Sequence, residues 1–373
     1  MARAMTLILA ILALGGCKKE EPPSFSVATY NAGLAVGFVP GAEDRAAGTS
    51  DAVAGLNVDL ICLQEYWLPE HVDAVSTAAS EFGHQYFPDP DAGQDTGNPA
   101  CLDGEVDDLI ACIDEDCADV CVDQLEDCVF GSCALDFLGL PKDCQGCVMA
   151  NVGNDADEVQ ATCETQSTSW AYDASFGTGI LSKLPLGDIE HHVFESTTNR
   201  RGVIHTTVES DIGTFDVYCT HLTAVFSALI PYPRESGSWE EEQSVQVDDL
   251  LDFIDETATN PVILLGDLNT GPYSGDVNLG EVEDHYERFI DDGFESAYVN
   301  ETAECTICGA NPLRDAGPSD NAIIDHVLLK DFAGSFKAKR VLDKEISATS
   351  CDETIDAAHS DHYGVTATLT TEE

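Results

Sequence analysis

Eight runs of apolar and β-branched residues, each seven to nine residues long, punctuate this chain: FSVATYN from Phe25, DLICLQE from Asp59, GTGILSK from Gly177, GVIHTTVES from Gly202, TFDVYCTHL from Thr214, PVILLGDLN from Pro261, AIIDHVLLK from Ala322 and YGVTATLT from Tyr363. Runs of this length and composition, apolar or β-branched, read as strands. Helical patterns fall between them, at Ser50–Leu56 and Ser244–Glu256. No internal repeat or membrane-spanning run interrupts the series. A mixed α/β protein follows, and 373 residues with 43% hydrophobic content bury a core for one large or two modest domains.

Several of these strands end on polar side chains: Asn31, Glu65, His221, Asp267, Asn269 and Asp325. In NPVILLGDLNTGP (Asn260–Pro272) a buried strand runs straight into Asp267 and Asn269. An isolated Asp-x-Asn pair is most often a turn or a cap. Six oxygen- or nitrogen-bearing strand ends in one chain point instead to a site gathered at the ends of the sheets.

Charge narrows the partners. Sixteen Lys+Arg stand against 69 Asp+Glu, a formal net of −53. Such a surface repels polyphosphate and lacks the basic footprint that draws nucleic acid by counterion release. A bound cation can still invert the field locally.

The N-terminus reads as an address. Arg3, an apolar run from Met5 to Leu14 too short to span a bilayer, and small residues before Cys17 describe a signal segment, residues 1–16. Leu14-Gly15-Gly16-Cys17 resembles the bacterial lipobox, which implies lipidation of Cys17 and a polar tether over residues 17–24. The expected location is outside the cytoplasm, anchored to a membrane.

Fifteen cysteines in an exported chain point to disulfides. Cys62 and Cys219 lie within apolar runs and are expected as buried free thiols. Nine others fall between Cys101 and Cys163, inside residues 98–170, where 17 acidic residues face the single base Lys142. Val106, Leu109, Ile110 and Ile113, then Val122, Leu125 and Val129, keep helical spacing. Cys117 and Cys121 share one helical face and are expected to bond to neighbouring elements rather than to each other. The segment reads as a disulfide-stapled helical insertion dividing a domain of residues 25–97 and 171–373. The alternative, zinc at Cys144/Cys147 and Cys305/Cys308, fits an oxidising compartment poorly.

Taken in order, TYNAG, ICLQEYW, GTGILSKLP, RRGVIHTTV, YCTHLTA, LLGDLNTGP, IIDHVLL and HSDHYGV resemble the successive motifs of the endonuclease/exonuclease/phosphatase superfamily, the DNase I-like fold. The resemblance runs from Phe25 to about Leu369 around the insertion. It implies a four-layer α/β sandwich: two mostly antiparallel sheets face to face, with helices outside. It also implies Glu65, Asn31 and Asp361 at a metal, and Asp267 and Asn269 orienting water and phosphoryl group. His362 is implied as general base, Asp325 as its partner, and His221 as donor to a phosphoryl oxygen. Of the NRRG segment, Arg201 is taken as the substrate-facing base, although strand register decides between it and Arg200. Ser175-Phe176 departs from the Tyr or Asn common before GxGILS in the family.

The chemistry asks for the same parts. Phosphodiester hydrolysis needs an activated water, a base, and positive charge at the phosphoryl oxygens. With Lys and Arg so scarce, that charge is expected from a hard cation, Mg²⁺ or else Mn²⁺ or Ca²⁺. His71, His84, His191, His192, His205, His285, His326 and His359 receive no role, and a transition-metal reading of His359-x-x-His362 conflicts with the role of its second His.

For the substrate, Val225, Phe226, Leu229, Ile230, Tyr232 and Trp239 load the segment after His221 with apolar and aromatic groups. A packed loop would absorb these residues equally well, whereas an apolar rim suits a lipid interface and a duplex nuclease needs Lys and Arg along a groove. The expectation is a monomeric, membrane-anchored phospholipid phosphodiesterase resembling bacterial sphingomyelinases. The alternatives are a DNase I-like extracellular nuclease and a non-catalytic surface protein that binds through its acidic insertion. The charge itself fits a saline habitat: thermal midpoint and activity are expected to rise between low and molar salt as self-repulsion is screened. An optimum at low salt excludes that explanation.

Overall fold

The computed structural model describes residues 22–90, 98–165, 170–226, 230–275, 278–302, 304–314, 316–317 and 319–371. The lipobox with Cys17, and Leu229, lie outside the described residues. Each of the eight expected runs contains a strand, and together they are the four central strands of two six-stranded sheets. The first sheet runs Gly334–Val341, Gly364–Thr371, Ser24–Asn31, Leu60–Gln64, Gly179–Ser182, His84–Tyr86. The second runs Glu295–Ser296, Asp325–Lys330, Val262–Asp267, Gly213–His221, Gly202–Ser210, Glu190–Val193. Pairing is antiparallel except for Ser24–Asn31 beside Leu60–Gln64 and Gly213–His221 beside Val262–Asp267.

Period-two alternation aims one face of each sheet at the other. Phe25, Val27, Leu60 and Ile180 from the first sheet meet Phe215, Val217, Ile263 and Val327 from the second in one buried core. The Phe25 and Phe215 rings stack across it with centroids 5.6 Å apart. The outer face of the first sheet packs on helices Ala42–Ala54 and Pro69–Ala78, and that of the second on Trp239–Thr257 and Glu283–Asp291. These are the four expected layers.

Both expected helices are longer than their patterns. Trp239–Thr257 begins where the Ser238 hydroxyl accepts from Glu241 N at 3.1 Å and three acidic residues face the helix N-terminus. Ala42–Ala54 was hidden by its buried Arg45, whose guanidinium donates to the carbonyls of Ala32, Gly33, Pro40 and His359.

The cysteines correct one expectation. Cys62 and Cys219 are not free thiols but a disulfide, their Cα atoms 5.4 Å apart. Alternation points both into the inter-sheet core from central strands of opposite sheets, so their burial is the condition for bonding. Within the insertion, helices Asp107–Asp116, Val122–Ser132, Ala134–Leu138, Lys142–Ala150 and Ala156–Thr165 are joined by Cys101–Cys144, Cys112–Cys133, Cys117–Cys128 and Cys147–Cys163. Cys121 reaches out to Cys351 in the sandwich, beside the hairpin of Glu345–Ser350 and Glu353–Ala358. Cys305 bonds Cys308, so neither Cys-x-x-Cys offers thiolates to zinc.

Val225, Phe226, Ile230, Tyr232 and Trp239 also differ from expectation. They pack against the insertion's own core rather than forming an open rim, and Trp239 is buried.

Denatured without reductant, the chain from residue 18 onward is expected to show no titratable thiol, whereas two would restore the free pair at Cys62 and Cys219. Replacing both by Ala is expected to cost about 2–5 kcal/mol, because the bond closes a long loop, measured by denaturant unfolding.

Candidate active site

Strand register builds the centre. Asp267 closes the strand Val262–Asp267, and its two neighbours place His221 and Asp325 directly beside it. In the other sheet, Asn31 pairs with Gln64, which brings it next to Glu65. The ends of both sheets thus converge, and Asn31 Nδ2 spans them, donating to Asp267 Oδ2 at 2.9 Å and to Glu65 Oε1 at 3.1 Å. Asn31 Oδ1 accepts from Gly33 N. Asp267 Oδ1 accepts from Asn269 N at 2.9 Å, and Asn269 Nδ2 donates to Leu222 O.

His362 comes from the loop before Gly364–Thr371. Its Nδ1 lies 2.9 Å from Asp325 Oδ2 and 3.8 Å from Asp267 Oδ2. Thr306 holds this pair in place: its hydroxyl accepts from Asp325 N, its carbonyl takes Tyr363 N, and adjacent Ile307 bridges to His362. The Cys305–Cys308 bond closes that supporting loop. Arg45 and Thr49 both donate to the His359 carbonyl, tying the HSDH loop to the Asn31 loop.

Glu65 (φ 61°) and Asn269 (φ 48°) occupy the left-handed region. Asn tolerates it, but for Glu it is a strained backbone of the kind held in place at functional sites.

These residues line a cavity of about 320 Å³. Glu65, Asp361 and Asn269 are partly exposed on its wall, with His221, Asp267 and His362 deeper, while Asn31 and Asp325 are fully buried behind them. Arg201 also faces the cavity beneath the Trp67 ring, 5.5 Å from its centroid. Arg200 turns the other way, stacked between Trp170 and Phe176, so Phe176 supports a guanidinium outside the cavity. Tyr172, stacked on Trp67, stands on the wall instead. Asp361 Oδ1 packs against Gly33 so closely that a Cβ there would collide with it.

The electrostatics divide the groups. Burial opposes charge on His362, but Asp325, Asp267 and Asp361 overcome it and hold the imidazolium well above the usual histidine range. Burial, reinforced by Arg201 and His362, keeps His221 neutral. Burial and then Asp325 push the Asp267 carboxyl up to about 7. Burial and then Asp361 raise Glu65, the mark of two carboxylates crowding one another. Among the described residues, Arg201 Nε and Nη1 and His221 Nδ1 are buried donors or acceptors without a protein partner. The site therefore presents an unspent guanidinium and a neutral imidazole among mutually repelling carboxylates.

An oxygen-rich, crowded carboxylate pair suits a hard divalent cation, and Glu65 with Asp361 fits one. Asp267, Asp325 and His362 also bring ligand atoms within 4.8 Å of one another, but there Asp325 already spends an oxygen on His362.

Sequence reasoning missed the residues that hold the loops. Glu242 accepts from Thr197 N, Thr197 Oγ1 and Thr223 Oγ1, and Gln243 Nε2 donates to the Thr223 and Asn269 carbonyls. Gln246 binds Thr223 as well. The signal was available in EEEQSVQV, where Glu242, Gln243 and Gln246 share one helical face that the fold buries.

The structure is similar to that of SmcL, with 13% identity over 93% of this chain and 99% of that one and a TM-score of 0.56. It is similar also to beta toxin from Staphylococcus aureus with bound magnesium ions (13% identity, 94% and 100% coverage, TM-score 0.56). A third likeness is to sphingomyelinase C from Streptomyces griseocarneus (15% identity, 94% and 100% coverage, TM-score 0.54). No curated protein sequence matches the chain. The model of the Endonuclease/Exonuclease/phosphatase family matches residues 28–362, which span every strand end described above, and the chain belongs to that family.

Proposed function

We propose that this chain is a divalent-metal-dependent phosphodiesterase acting on a phospholipid headgroup. The observation that carries the reading is Arg201: a buried guanidinium with two unspent nitrogens, facing the same cavity as Glu65 and Asp361. A cavity that needs an anion on one side and a cation on the other fits a phosphate with its metal.

In this mechanism Glu65 and Asp361 hold the cation, with Asn31 bracing Glu65 from behind. When bound, Mg²⁺ supplies positive charge for the phosphoryl oxygens. Arg201 binds a second oxygen of the phosphate, and neutral His221 donates a hydrogen bond as negative charge develops. Asp267, its carboxylate held by Asn31 and Asn269 N, positions the attacking water, and the Asn269 side chain meets the phosphoryl group. The P–O bond to the lipid alcohol breaks as the water oxygen bonds to phosphorus, and the departing alkoxide is protonated from solvent. His362, acting in its neutral form, which its carboxylate neighbours confine to pH above the usual histidine range, takes the proton from that water. Its bond to Asp325 sets the tautomer, leaves Nε2 for the water and stabilises the imidazolium that results.

The lipid headgroup is favoured by the cavity's other wall, where Phe38, Val39, Met149, Phe226 and Ile230 are apolar. The likeness to a protein named sphingomyelinase C supports the same reading, as does the near absence of surface bases for a duplex. A lipid anchor at Cys17 would keep the enzyme at its substrate. Among the described residues no helix is long and apolar enough to cross a membrane.

Sphingomyelin or phosphatidylcholine vesicles are expected to release phosphorylated headgroup with Mg²⁺ and none in chelator. Ready cleavage of plasmid DNA with the vesicles untouched would replace this reading with the nuclease. Glu65→Gln is expected to abolish activity at ordinary Mg²⁺ with the fold intact and to recover partly as Mg²⁺ is raised. His362→Ala is expected to lower kcat by about 10²–10⁴, and full activity in that variant rules out the base assigned here.

A further inference from the structure

Beside the catalytic cavity lies a second one of about 70 Å³, enclosed mainly by the insertion. Its lining includes the helix residues Leu109, Ile113, Val129, Phe137 and Val159. Asn151 borders it but spends its amide on the Cys147 carbonyl at 2.8 Å. Phe38, Glu126, Met149 and Ile230 line both this cavity and the catalytic one, so the two adjoin at those four side chains.

We infer that this second cavity is the subsite for the apolar tail of the substrate, receiving the first methylenes of an alkyl chain whose phosphodiester occupies the catalytic cavity. The inference rests on the phospholipid reading above. Four observations carry it.

The first is apolarity. A void walled by Leu, Ile, Val and Phe stays dry and takes apolar guests, whereas a close-packed core has few voids larger than a water. The second is size: each occupant needs about 10–15 Å³ of such space, so the cavity admits roughly five methylene-sized groups in file. The third is continuity with a cavity built for phosphate. Phe38, large and 37% exposed, stands at the junction, where an apolar ring open to water gains from being covered by a chain.

The fourth is registration. Four disulfides hold the insertion helices around the void. Three further links fix the insertion to the sandwich beside the site: Cys121–Cys351, Gly41 N to Asp123 Oδ2 at 2.8 Å, and Ser350 Oγ to the same oxygen. On the far side of the junction, Tyr172 OH donates to the Val36 carbonyl. The tail cavity is thereby held at a constant distance from the phosphate cavity.

The test uses the full protein with Mg²⁺ and alkylphosphocholines from methyl to octyl, each below its micelle concentration. KM is expected to fall by about fourfold per added methylene, then level off after roughly five. Val129→Trp, which fills the cavity, is expected to abolish this dependence while leaving hydrolysis of methyl p-nitrophenyl phosphate, which has no tail, within twofold. KM flat across the series in the unmodified protein overturns the inference, as does a dependence that survives in a folded Val129→Trp. Calorimetric Kd values across the same series keep the two readings apart. Chain-length-dependent binding without turnover would reject the headgroup while keeping the tail site, and turnover with flat Kd and KM would reject the tail site while keeping the headgroup.

Discussion

The register of three strands underlies everything this site does. Because Val262–Asp267 is parallel to Gly213–His221 and antiparallel to Asp325–Lys330, the residues at one end of each become a row: His221, Asp267, Asp325. A slip of one residue would turn Asp267 towards the opposite face and turn Leu265 out of the inter-sheet core. The apolar residues that make the core therefore also aim the polar residues that make the site. Asn31 completes the arrangement by bonding the end of the other sheet to this row, so the site exists only where the two sheets are correctly stacked.

That stacking carries an electrostatic load. Glu65, Asp267, Asp325 and Asp361 gather in little space on a chain with a net charge of −53, and their mutual repulsion shows in the raised Glu65 and Asp267 carboxyls. The compensation is local. His362 stands among three carboxylates that favour its imidazolium, Arg201 is buried beside the cavity, and Arg45 clamps four loop carbonyls behind it. With 16 Lys+Arg available, two arginines buried behind and beside one cavity is an allocation that a structural core alone would not require. Disulfides supply mechanical support where ion pairs are few: one across the sheets, one beneath the His362 loop, one pinning the insertion.

Of the two six-stranded sheets, the strands legible in the sequence are the eight central ones, and those not legible are the four edges: His84–Tyr86, Glu190–Val193, Glu295–Ser296 and Gly334–Val341. A central strand is covered on both faces and reads as a continuous apolar run. An edge strand is short or carries charge against mispairing, as Lys337, Lys339 and Arg340 do, and its pattern dissolves into that of a loop. The site was legible for a related reason, since polar residues terminating apolar runs stand out. Arg45 and Thr306 did not, because isolated buried polar side chains that satisfy backbone groups leave no periodic trace. The Cys62–Cys219 bond was misread because burial in an apolar run argues equally for a thiol and for a disulfide, and only the facing of two sheets separates them.

The insertion and the segment after His221 answer to one requirement. Read alone, Val225, Phe226, Ile230, Tyr232 and Trp239 suggest a rim exposed to a membrane, and the acidic insertion suggests a separate module. In the fold each covers the other: Phe226 and Tyr232 set their rings edge-on against Trp239, with centroids 4.9 and 5.1 Å away, and the cluster continues into the insertion's core. Neither has a complete core of its own, so the insertion needs the sandwich for packing as well as for Cys351. What the pair leaves uncovered is apolar and faces inward, as Phe226, Ile230 and Met149 on the catalytic wall. A strongly acidic protein has little means of attracting an anionic substrate from a distance. On the proposed function, selection at such a site falls to what happens on contact, where a guanidinium, a carboxylate pair suited to a metal and an apolar wall would together favour a molecule that is phosphate at one end and hydrocarbon at the other.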